Sequence, residues 1–251
     1  MTRPGRRFRT LTAIGLALAC STTISGCASP VTWPARDIEG LHIPAVVWPE
    51  GTPNLDDERV AAFINSATAM AAANNAHDFS SPALRDHATE EYITDYAKES
   101  IGTAIFRGSS DYGYYYEAGP TPMIIQEVRD TDTGAEIDVC SDSGNWVSNK
   151  QGVDPAAELG EHKYGAELTY ILARRTDGTF LVSGWNYKSY DGCGTNNIKY
   201  GLFDPQPDYG NVVYDDEFIQ PDGSNGRPLS DYPTYLQPTP TPTDDATHAD
   251  H

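Results

Sequence analysis

The groups in this chain that could carry chemistry are 4 cysteines, 6 histidines and 36 carboxylates. His42, His77, His87, His162, His248 and His251 form no H-E-x-x-H pair, and no C-x-x-C occurs, so no zinc site is indicated. Asp130-x-Asp132-x-Gly134 opens like a calcium loop but lacks the closing glutamate, and a hairpin turn accounts for it. There is no G-x-S-x-G, no phosphate-binding P-loop and no G-x-G-x-x-G. Neither a metal nor a cofactor is therefore expected, and no residue is assigned as catalytic.

Two other sets remain. Glu127, Glu136, Asp138, Asp142 and Glu167 are carboxylates in strand-like segments, with Tyr170, Tyr187 and Tyr190 as hydrogen-bond donors. Strand alternation puts Asp138, Cys140 and Asp142 on one face, and a solvated face is the default for such charges. Asp111-Tyr112-Gly113-Tyr114-Tyr115-Tyr116 is the densest aromatic cluster. Tyr114, Tyr115 and Tyr116 have the apolar body and polar tip of binding anchors, and they serve equally well as fillers at the edge of a core.

Lys and Arg total 17 against 36 Asp and Glu, a formal charge of −19. Such a surface repels phosphate backbones and excludes a nucleic-acid partner. Outside the N-terminus no uncharged apolar run reaches the roughly 18 residues of a spanning helix, which excludes a multi-pass membrane protein.

The N-terminus reads as an address. Arg3, Arg6, Arg7 and Arg9 precede an apolar run from Leu11 to Ala19, the layout of a secretory signal. Ile24-Ser25-Gly26-Cys27 resembles the lipobox of bacterial lipoproteins. That resemblance implies cleavage after residue 26 and a diacylglyceryl group on Cys27; Cys20, after Ala17-Leu18-Ala19, is the alternative. Two acyl chains suffice for stable anchoring where one does not. The expected location is the extracytoplasmic face of the cell membrane, an oxidising space. Cys140 and Cys193 then remain as an even pair: a bridge, worth about 4 kcal/mol on the chain-entropy model, or two free thiols.

These groups need elements to position them. Residues 27–53 carry Pro30, Pro34, Pro44, Pro49 and Pro53 and read as a tether, with Trp33, Val46, Val47 and Trp48 able to dock. Asn54 is the expected cap of a first helix whose Val60, Phe63, Ile64, Ala67 and Ala71 follow the helical period. Ser81-Pro82 is expected to open a second helix with Leu84, Ala88, Tyr92, Ile93, Tyr96 and Ala97 as its buried stripe. Strands follow over 122–130 and 136–142, joined by Asp132-Thr133-Gly134, and over 166–175 and 179–187, joined by Asp177-Gly178. Helices followed by strands predict an α+β domain over 54–204, helices packed on a twisted antiparallel sheet. Residues 205–251 read as an irregular, Pro- and Asp-rich, largely disordered extension.

That order resembles the nuclear-transport-factor-two-like, or cystatin-like, fold. Residues from about 54 to 195 look like secreted or lipid-anchored proteins of this fold from high-GC Gram-positive bacteria. The resemblance is carried by Leu84-x₃-Ala88-Thr89, Val139-Cys140-Ser141-Asp142-Ser143, Arg175-Thr176-Asp177-Gly178-Thr179, Val182-Ser183-Gly184-Trp185 and Gly192-Cys193. It implies a cone with an apolar pocket and a disulfide between Cys140 and Cys193. The insertion at 107–120 and the tail after 205 depart from the pattern. Members of the fold include isomerases, dehydratases and non-enzymatic modules, so fold alone does not give function. The expectation is a non-enzymatic binding or assembly module at the envelope, whose partner is a protein or a small apolar ligand. An isomerase or dehydratase using the cone is the alternative.

Overall fold

The structure, a computed structural model, describes residues 36–37, 40–48, 53–108, 115–142, 146–148, 164–194, 198–206 and 218–224. In chain order they form β1 (Arg36–Asp37), β2 (Gly40–Leu41), β3 (Ala45–Val47), α1 (Glu58–Ala76), a 3-10 turn (Pro82–Asp86) and α2 (Glu90–Gly108). Then follow β4 (Tyr115–Glu117), β5 (Met123–Thr131), β6 (Gly134–Ser141), β7 (Trp146–Ser148), β8 (Tyr164–Arg174), β9 (Phe180–Gly194) and β10 (Leu202–Asp204). The architecture is α+β. An antiparallel sheet in the order β5-β6-β8-β9 carries the two helices on one face. Among the described residues no helix is long and apolar enough to cross a membrane.

Alternation decides which face is covered. Ala135, Ile137 and Val139 of β6, Leu172 of β8 and Val182 of β9 pack into one core with Phe63 and Ile64 of α1 and Ile93 and Ala97 of α2. Asp57, rather than Asn54, caps α1: its carboxylate accepts a hydrogen bond from the Arg59 amide at 2.9 Å. The C-terminal half of α1 is covered all round, because Ala69, Ala71, Ala72 and Ala73 let neighbours approach closely. Part of that cover comes from the segment read as a tether. β3 pairs with β10, and Leu41, Ile43 and Val46 pack around Ala71, Ala72 and Phe203. Phe218, from the C-terminal extension, is buried and stacks on His77 at 4.0 Å.

The second helix begins later than its sequence signal. Ser81 and Pro82 start only the 3-10 turn, and α2 starts after Thr89, whose hydroxyl accepts from the Tyr92 amide. The reason is tertiary. Val182 of β9 donates its N–H to the His87 carbonyl and accepts from the Thr89 N–H at 2.9 Å, so the sheet edge takes backbone groups that a continuous helix needs. Both hairpins form as expected, and Gly178 takes the φ of +92° that the β8–β9 turn requires.

The sheet's other face holds a charge network. Arg129 pairs with Glu127, Glu136 and Asp138; Lys188 reaches Asp138 at 2.6 Å, and the Thr169 hydroxyl donates to Asp138 at 2.6 Å. The Arg129 hydrogen bonds, then those of Lys188 and Thr169, hold the Asp138 carboxyl well below the usual carboxylate range. The Asp138 side chain is 8% exposed, while Arg129 and Lys188 are 34% and 44% exposed. Its worth therefore lies between that of a surface pair and a buried one, and Asp138→Asn should cost about 2 kcal/mol at neutral pH. A group whose folded pKa is depressed stabilises above its unfolded value of 3.8 and loses that contribution as pH falls toward the folded one. The difference between wild type and variant, followed by urea unfolding, should thus be constant above pH 3.8 and shrink below it.

Candidate functional site

On α2, Tyr92, Tyr96 and Glu99 stand at i, i+4 and i+7, one face of a helix. That face looks onto the covered side of the sheet, where Tyr170 sits opposite Ile137 on β8. The rings interlock: Tyr92 and Tyr96 have centroids 6.0 Å apart, Phe79 lies 6.1 Å from Tyr96, and Phe63 of α1 lies 4.5 Å from Tyr170. Three tyrosines thus meet between α1, α2 and the sheet, with phenylalanines behind them.

A second carboxylate enters from β4. Glu117 is 1% exposed, and the last full turn of α1 fixes it. Asn75 donates from Nδ2 to the Glu117 carbonyl at 2.8 Å and accepts the Glu117 N–H on Oδ1 at 2.8 Å. Asn74 donates from Nδ2 to Glu117 Oε1 at 2.7 Å. The Asn75 amide thus does for β4 what a neighbouring strand does in a ladder, and the Asn74 bond aims the carboxylate.

Burial is the main cause that pushes Tyr92, Tyr96 and Tyr170 well above the ordinary phenol range; the charges of Glu99 and Glu117 add to it. These hydroxyls therefore keep their protons at any physiological pH. None of the three has a hydrogen-bond partner among the described residues, although Tyr92 is only 7% exposed. Tyr96 and Tyr170 are half-buried and Glu99 is exposed, yet the protein around the Glu99 carboxyl raises its pKa by desolvation. The cluster thus grades from buried Tyr92 to solvent-touching Glu99, and it offers donors, aromatic faces and a carboxylate.

A separate groove of about 400 Å³ runs between residues 43–48 and α1. Ile43, Val46, Trp48 and Ile64 supply apolar walls; Asn65, Thr68 and His87 supply the polar edge. Burial holds the His87 pKa below the ordinary imidazole value, against the opposing charge of Asp86.

The sequence-selected residues are distributed as follows. Cys27 and Tyr114 lie outside the described residues, and so does the Tyr115 side chain, although its backbone pairs with Ser148. Tyr116 is 3% exposed and packs with Ala118 and Leu202, a core role. Cys140 and Cys193 form a disulfide with Cα atoms 5.9 Å apart. Glu136, Asp138 and Glu167 share the face away from the helices, with Glu127 bound into its charge network. Asp142 is buried and accepts from the Tyr200 hydroxyl at 2.9 Å. Of the donor tyrosines, Tyr170 joins the cluster; register places Tyr187 and Trp185 on its face, both exposed, and the Tyr190 side chain lies outside the described residues. Sequence reasoning put Tyr92 and Tyr96 on a buried stripe but missed Glu99 and Glu117. The Tyr-x₃-Tyr-x₂-Glu spacing was the available signal for Glu99; Glu117 had none, since the side chains that hold it lie 42 and 43 residues away.

No protein-family model, curated protein or solved structure matches this chain. What the fold and site define is a class: an α+β domain, two helices on an antiparallel sheet, with a tyrosine–carboxylate cluster between the layers.

Proposed function

We propose that this chain is a cell-envelope binding module, anchored by lipid on Cys27, that holds a small ligand between α2 and the sheet. One observation supports the ligand reading: Tyr92, Tyr96 and Tyr170 gather phenol groups and ring faces on the covered side of the sheet, grading from buried Tyr92 to half-buried Tyr96 and Tyr170. The covered face of a twisted sheet is also where a cystatin-like cone keeps its pocket, so the tyrosines line the cone on this reading. Residues 1–26 act as the signal and the segment from Cys27 as the link to the membrane.

A second reading, an isomerase or dehydratase using the same interior, is favoured by one feature. Glu99 has a raised carboxyl pKa beside phenols that stay protonated, which is the pairing of base and donor that proton transfer needs. Native mass spectrometry of the protein extracted from its own membrane tests the proposal. The expected result is a diacylglyceryl mass on Cys27 and a retained small molecule that Tyr92→Phe/Tyr170→Phe loses. A lipid-free protein that retains nothing overturns it. Recovery of a substrate and its isomer or dehydrated product together moves the assignment to the enzyme.

A further inference from the structure

Resting on the lipid-anchored reading, we propose that the groove between residues 43–48 and α1 binds an acyl chain with an uncharged, hydroxyl-bearing head: a neutral glycerolipid of the membrane to which the chain is tied.

The groove is a formed space of about 400 Å³, within the roughly 300–1,000 Å³ of sites that hold small molecules. Ile43, Val46 and Trp48 wall it on one side and Ile64 of α1 on the other. The chain carries a formal charge of −19, yet among the described residues no Asp, Glu, Lys or Arg lines this groove. Apolar side chains also stay uncovered beside it. Val46 of β3 packs inward, whereas its neighbour Val47 is 57% exposed, and Leu55, a lining residue, is 45% exposed. They are the two most exposed large apolar side chains among the described residues. Apolar surface gathered in this way marks a contact with another apolar partner. Position in the chain says which partner. Ile43 lies 16 residues after Cys27, so even a fully extended link keeps the groove within about 55 Å of an anchor there. Tethering raises the local concentration of whatever the anchor enters, and that is lipid.

The polar edge selects the head. The Thr68 hydroxyl donates to the Ile64 carbonyl at 2.8 Å, so toward a ligand it is an acceptor. Asn65 and His87 each bring a donor and an acceptor. A carboxylate or phosphate head finds no Lys or Arg in this lining and meets the charge of Asp86, which reaches His87. An ammonium head finds no carboxylate in the lining, and pairing with the exposed Asp86 is worth little. A plain alkane displaces water from the polar edge and returns no hydrogen bond. A glycerol head donates to Thr68 and exchanges hydrogen bonds with Asn65 and His87, while its acyl chain covers the apolar walls.

The test uses monolauroylglycerol with a photoactivatable diazirine on its chain, irradiated with the full chain below micelle-forming concentration and mapped by peptide mass spectrometry. Saturable labelling is expected on residues 43–48 and 64–68. Unlabelled monolauroylglycerol should compete at least about tenfold better than laurate or dodecyltrimethylammonium. Asn65→Trp fills the groove from an exposed helix position; checked for fold by circular dichroism, it should cut the labelling at least about tenfold. Glu91→Trp, an exposed change on α2, should leave it unaltered. Equal competition by either charged amphiphile overturns the neutral head. Labelling that Asn65→Trp does not reduce, or that maps to α2 and Tyr170 instead, overturns the groove as the site. The intact mass at Cys27 reads the anchor separately. A bare Cys27 with labelling retained overturns the anchor reading and supports the groove's ligand; a lipidated Cys27 with no labelling overturns the groove inference alone. Labelling seen only in Cys27→Ala gives the groove to the protein's own anchor and overturns the membrane lipid as occupant.

Discussion

Replacing Cys140 and Cys193 together with alanine is expected to lower the unfolding free energy by about 4 kcal/mol. The bridged residues are 53 apart in sequence, a long loop whose closure the unfolded chain no longer gets for free. The geometry adds a local consequence. Cys140 lies at the end of β6 and Cys193 at the end of β9, with β8 between them in the sheet order. Strands two places apart are separated by about 10 Å in a flat sheet, yet these Cα atoms are 5.9 Å apart. Irregularities in the β8–β9 register between Gly165 and Glu167, and between Glu167 and Leu168, provide the bend that brings β9 back over its neighbour. Without the bridge that bend loses its fastening. Amide exchange should therefore accelerate over residues 164–167 and 189–194 well before it does in α1. Reduction of the native protein should reproduce both effects. A loss below about 1 kcal/mol, with exchange unchanged, would mean that packing alone holds this end of the sheet.

What the sequence discloses and what it hides divide along a physical line. Signals held within a few residues read correctly. Asp177-Gly178 predicts its turn because glycine alone takes the required φ at no cost, and Leu168, Tyr170 and Leu172 alternate onto the covered face because a strand has a period of two. Features settled by a distant partner do not. Ser81-Pro82 is a sound helix start by local rules, but Val182 engages the His87 and Thr89 backbone and delays α2 to Glu90. The prolines near residue 44 argue against regular structure, yet β3 finds β10 as a partner more than 150 residues later. The candidate site shows the same division. The α2 half has a readable spacing, whereas Glu117 owes its place to side chains on another element.

That dependence sets the second large effect. Asn75→Ala should cost about 2–4 kcal/mol, since it removes at once the partners of the Glu117 N–H and carbonyl in a buried setting. Asn75→Asp is more informative, because it keeps the size and changes one donor into an acceptor. The new carboxylate faces the Glu117 carbonyl where an N–H stood, in a position now 6% exposed, and it adds a charge near the Glu117 side chain. A loss of about 3–5 kcal/mol at neutral pH is expected. The acid dependence should confirm the cause. Burial and like charge raise the folded pKa of this aspartate above its unfolded value of about 3.9, and the protonated form can again donate to the carbonyl. Its stability relative to wild type is then highest below the unfolded pKa and falls as pH rises through the folded one. Urea unfolding of both proteins from pH 3 to pH 7 should show that widening gap.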